Sequence, residues 1–114
     1  MNKQRRTKEV NMEIMHIGVP VKTPKDQEAY AEGLKVHIAA PETNPMQFEY
    51  LRFEADTPMH KDIVENVHIA YKVDKLADYL EKHEVLCEPM EVNEELTIAF
   101  IKMDGVVVEI MEFK

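Results

Sequence analysis

Two histidines and two glutamates stand where this chain repeats itself. His16-Ile17-Gly18-Val19-Pro20-Val21 is echoed by His68-Ile69-Ala70-Tyr71-Lys72-Val73 at an offset of 52 residues. Phe48-Glu49-Tyr50-Leu51-Arg52-Phe53 is echoed by Val108-Glu109-Ile110-Met111-Glu112-Phe113 at an offset of 60. Internal repeats mark supersecondary units that bury a face against each other, so matched residues of two copies are expected to meet. Two neutral imidazoles and two carboxylates suit one six-coordinate divalent ion such as Ni, Co, Mn, Fe or Zn. Such an ion polarises a carbonyl and stabilises the charge left when the neighbouring carbon loses a proton, which a nearby carboxylate can take. A lone histidine on a strand is more often structural; the repeat is what makes His16 and His68 candidate ligands. A gapless offset of 52 would pair Glu49 with Ile101 and leave it a surface carboxylate. The offset of 60 is preferred because Glu-x-Leu-x-Phe at 49 parallels Glu-x-Met-x-Phe at 109.

The elements that must position these residues are legible in the apolar pattern. A strand is expected over 10–21, with Met15, Ile17, Val19 and Val21 on one face and His16, Gly18 and Pro20 on the other. Thr23-Pro24 with Asp26 predicts a short helix ending at Gly33. Strands follow over 34–39 and 46–54, the latter with Glu49, Leu51 and Phe53 on one side, and Thr57-Pro58 opens a linker helix. The strand over 67–73 sets His68, Ala70 and Lys72 opposite Val67, Ile69, Tyr71 and Val73. From Asp74, the stripe Leu76, Tyr79, Leu80 and His83 predicts an amphipathic helix. A strand over 85–92 precedes a hairpin, 96–103 and 106–113, across Asp104-Gly105.

The expected fold is therefore α+β: two tandem β-α-β-β(-β) units forming a curved mixed sheet around a cleft. The first unit, 12–56, is the shorter; a linker spans 57–66 and the second unit 67–114, after a flexible basic tail over 1–11. Each histidine lies on the strand face away from its apolar stripe, so both should point into the cleft. His37 and Lys72 are candidate substrate contacts, with a plain strand residue and a rim charge as their alternatives. His60 and His83 read as structural or solvated.

Composition narrows the partners. The formal net charge is −8, and residues 1–11 set Lys3, Arg5, Arg6 and Lys8 against Glu9, so the remainder is close to −11. A body that acidic repels a phosphate backbone, so neither nucleic acid nor an anionic membrane is an expected partner. No apolar stretch approaches the ~20 residues of a membrane span. The single cysteine, Cys87, leaves no internal disulfide, suits a reducing cytoplasm and reads as a small half-buried side chain. HExxH, GxGxxG, P-loop and CxxC motifs are absent from the sequence.

A tandem unit with histidine on each first strand and an acid on a later strand resembles the vicinal oxygen chelate superfamily. That group includes glyoxalase I, methylmalonyl-CoA epimerase, extradiol dioxygenases and metal-free bleomycin-resistance proteins. The resemblance, over residues 12–114, implies a glyoxalase-like metal site at His16, Glu49, His68 and Glu109. It implies a lyase or isomerase, of lactoylglutathione-lyase or epimerase type, with Glu109 as first choice of base and Glu49 for reverse delivery. It also implies a homodimer acting on a small molecule. Glutathione-using members carry an arginine four residues after the first ligand and an asparagine four after the first-unit glutamate. Pro20 and Phe53 stand there, which argues against a peptide-thiol substrate. The other reading is a non-catalytic binding module of bleomycin-resistance type, with an apolar pocket and no metal.

Overall fold

A computed structural model of the chain describes residues 13–114. The basic tail and the first residues of the strand expected over 10–21 lie outside the described residues. The strands are β1 (Glu13–Pro20), β2 (Glu28–Ala31), β3 (Val36–Ala39), β4 (Phe48–Phe53), β5 (His68–Lys72), β6 (Glu84–Asn93), β7 (Leu96–Met103) and β8 (Val106–Phe113). Among the described residues, two short α-helices, α1 (Lys61–Glu65) and α2 (Ala77–Leu80), accompany them. All eight strands join one mixed sheet in the order β2-β3-β4-β1-β5-β8-β7-β6. β1 runs parallel to β4 and β5 parallel to β8, while β1 and β5 meet antiparallel at the centre. Ala31 and Val36, near one end of the sheet, line the same cavity as Met90 and Val92 at the other, so the sheet curls into a half-barrel.

The fold is thus mostly β, and the α+β expectation is corrected. Among the described residues, no α-helix lies between β1 and β2. Gln27 takes a positive φ of 63°, the Lys25 amide donates to Glu28 Oε2, and Glu28–Ala31 pairs with β3 instead. Arg52 of β4 closes this arrangement with a two-pronged bond to Glu28, at 3.0 and 2.6 Å. Ladder bonds and a charge-assisted clamp thereby replace the helix that the Thr-Pro start suggested. The helix after Asp74 is only four residues long, with the Leu76 amide donating to Glu112 Oε1. The linker helix forms, but His60 caps it by accepting from the Asp62 amide. Thr57 instead donates its hydroxyl to the Leu34 carbonyl. The Asp104-Gly105 hairpin forms as expected, both residues at positive φ (52° and 83°), the signature of a tight primed turn.

The sheet is buried on both faces in its second half, which explains the apolar runs Ile98–Ile101 of β7 and Val106–Val108 of β8. On the concave face Ile98, Phe100, Val107 and Met111 pack with Ile63 of α1 and Leu86. On the convex face Ala99, Ile101, Val108 and Ile110 pack beneath Val73 and Leu76, with Tyr79 and Leu80 of α2 against them. Among the described residues, no helix is long and apolar enough to cross a membrane.

Candidate metal centre

The four strands at the middle of the sheet, β4-β1-β5-β8, carry Glu49, His16, His68 and Glu109 respectively. Cross-strand register explains how they converge. One row across the sheet reads Glu49, Gly18, His68; the next reads His16, Ala70, Glu109. Cross-strand partners share a face, so each row sets an acid and an imidazole on either side of a very small residue. Glu49 and Glu109 therefore occupy equivalent places, each beside the residue two past a histidine, as the offset of 60 requires. A bulge accompanies the site: Ile14 pairs with Tyr71 and His16 with Ala70, leaving Met15 as the extra residue. Met15 consequently packs against the concave-side core rather than alternating away from it.

The side chains close on one point. His16 Nε2 lies 3.2 Å from Glu109 Oε1 and 3.3 Å from Glu49 Oε1, and His68 Nε2 donates to Glu109 Oε1 at 3.0 Å. One ligand atom from each of the four residues lies within 4.8 Å of all the others. His16, His68 and Glu109 are buried, and Glu49 is partly exposed. Burial opposes a charge on His16, yet the bonds to Glu109 and Glu49 outweigh it and raise its pKa to about 10. For Glu109 burial again pulls the other way, but His16 and His68 hold the carboxyl below its ordinary value. Two carboxylates thus draw a positive charge into a buried place, and two ring nitrogens face it. That donor set fits a divalent cation.

His68 is oriented by packing. Its Nδ1 is buried with no hydrogen-bond partner among the described residues, so no outer carboxylate or carbonyl sets the ring. The ring instead lies over Gly18, where any Cβ would overlap it, and meets Phe100 edge-on at 5.1 Å between centroids.

The cluster lines a cavity of about 260 Å³ whose other lining residues, among those described, are all apolar: Leu34, Met59 and residues of β2–β4, α1 and β6–β8. A second, more open hollow, lined by Glu42 and Gln47, reaches His16 and Glu49 from another side. The structure brings together all four expected ligands but neither expected substrate contact. His37 points away from the cavity, stacked on Tyr30 and 3.3 Å from Glu54, because Val36 and Ile38 take the concave positions of β3. Lys72 is exposed at the end of β5, over the Phe113 ring. His60 caps α1, and burial pushes the Cys87 thiol up, away from reactivity. Gly18 and Ala70 are read from the sequence only as sharing the histidines' faces, and Phe100 is not singled out; the matched small residues at 18 and 70 were the available signal for their place at the site.

No protein-family model and no curated protein matches the chain. The crystal structure of the hypothetical protein BH1468 from Bacillus halodurans C-125 is similar, with a TM-score of 0.69 at 22% identity. The match covers 92% of this chain and 96% of that one, and establishes a shared fold.

Proposed function

We propose that this protein is a divalent-metal-dependent lyase or isomerase of the vicinal oxygen chelate type, acting by proton abstraction beside a carbonyl. One observation supports the reading: among the described residues, the only polar side chains lining an apolar cavity are two imidazoles and two carboxylates whose ligand atoms lie within 4.8 Å of one another. His16, Glu49, His68 and Glu109 would hold the ion, which when bound supplies Lewis-acid polarisation of a substrate carbonyl. The chain's own groups do the rest. Glu109, bonded to both histidines, is the better anchored carboxylate. Glu49 meets only His16 among the described residues and borders both the cavity and the open hollow, so it is the better placed to accept a proton on Oε2, the oxygen His16 does not hold, and return it. This reverses the expected order of bases. The apolar wall limits the water around a carbanion-forming step.

The test is metal content of purified protein by inductively coupled plasma mass spectrometry, with His16→Ala as control, followed by solvent deuterium exchange into hydroxyketones. About one ion per chain, lost in the variant, supports the reading. Glu49→Gln should then keep the ion and lose exchange. No ion, and no rise in melting temperature with any of the five metals, rejects it. The competing binding-module reading draws on the same cavity, since His16 and His68 already satisfy Glu109 without an ion; it predicts that metal-free outcome.

A further inference from the structure

Among the described residues, the four donors are the only side chains lining the cavity that can pair with a charge. Leu51, Phe53, Met90, Ile98 and Phe100 face the space, and among the described residues no Lys, Arg, Ser, Thr, Asn, Gln or Tyr lines it. Cations near its edges are engaged elsewhere: Arg52 with Glu28, and Lys102 with Asp62. A carboxylate or phosphate lying along this wall would be buried without a partner, which is strongly unfavourable. The donor end gives no relief, because two carboxylates balance a divalent cation and leave no net charge to attract an anion. Size adds a second limit. An apolar cavity of about 150 Å³ holds one benzene, so a space of about 260 Å³ holds a molecule of about ten non-hydrogen atoms.

We infer that the ligand of this site is a small uncharged molecule, with a carbonyl or hydroxyl at the four donors and an apolar body against Ile98 and Phe100. The oxygen end rests on the metal reading above, and the apolar body on the wall itself. Thiol-peptide conjugates and nucleotide thioesters, with their carboxylates and phosphates, do not suit this wall.

The experiment titrates cobalt-loaded wild-type protein calorimetrically with 2-hydroxyacetophenone, an uncharged hydroxyketone of this size, and with its anionic counterpart phenylglyoxylate. The hydroxyketone should bind at least about tenfold more tightly. Met90→Lys, which sets a cation on the wall, should shrink or reverse that ratio; Val92→Lys at the exposed rim serves if the first variant does not fold. Equal or tighter binding of phenylglyoxylate to the wild type, or no binding of either probe, overturns the inference. Cobalt content is read separately. A wild-type chain that takes up no cobalt overturns the metal reading, and the same titrations on metal-free protein then decide the ligand class.

Discussion

At residue scale the centre depends as much on what is missing at Gly18 and Ala70 as on its four donors. A side chain at 18 would occupy the space of the His68 ring. Gly18→Ala is therefore expected to cost about 1–3 kcal/mol through overpacking and to displace His68 from Glu109. Urea unfolding measures the first effect and metal content the second. A variant with full stability and full metal content would show that the ring has another resting place. Glu109→Gln should weaken metal retention more than Glu49→Gln, because Glu109 meets both imidazoles and Glu49 only one. Equilibrium dialysis against a competing chelator ranks the two.

At element scale the first half is held by a clamp in place of a helix. Glu28 of β2 is bound by Arg52 of β4, two strands away, and by the Lys25 amide, and its pKa falls from 4.5 to about 2. A carboxylate with a depressed folded pKa contributes stability above its unfolded value and loses it as pH falls through the folded one. The clamp should be fully effective above pH 4.5 and fade toward about 2. Urea unfolding of wild type and Arg52→Gln, stepped down through that window, should show their difference narrowing; a constant gap would contradict the clamp. Between the halves, α1 adds Ile63, 1% exposed, to the cavity wall. Ile63→Ala should cost about 2–5 kcal/mol, the range for a buried large-to-small change, again by urea unfolding.

At the scale of the whole molecule the donors come in pairs, His16 with Glu49 from one half of the sheet and His68 with Glu109 from the other, across the β1–β5 seam. An ion bound there ties both halves together. Metal at a hundredfold excess over its dissociation constant should stabilise the fold by about 2.7 kcal/mol. Calorimetry should show one transition moving upward as a unit. Two separating transitions would mean that the ion serves one half only.

His16, Glu49, His68 and Glu109 were legible in the sequence because a repeat puts like residues in like places, and strand periodicity then puts each acid and imidazole on one face. The Asp104-Gly105 hairpin was legible because its turn demands those residue types locally. Local signals failed where distant residues decided. The Thr23-Pro24 start implied a helix, but Arg52, 24 residues beyond Glu28, draws that segment into the sheet. The bulge at Met15 shifts the alternation of β1, and concave packing of Val36 and Ile38 turns His37 outward. The sequence by itself determined which residues can hold a cation and which strands carry them. Only the tertiary structure decided that they share one apolar-walled cavity, because the curl that brings both ends of the sheet round it depends on contacts between residues far apart in the chain.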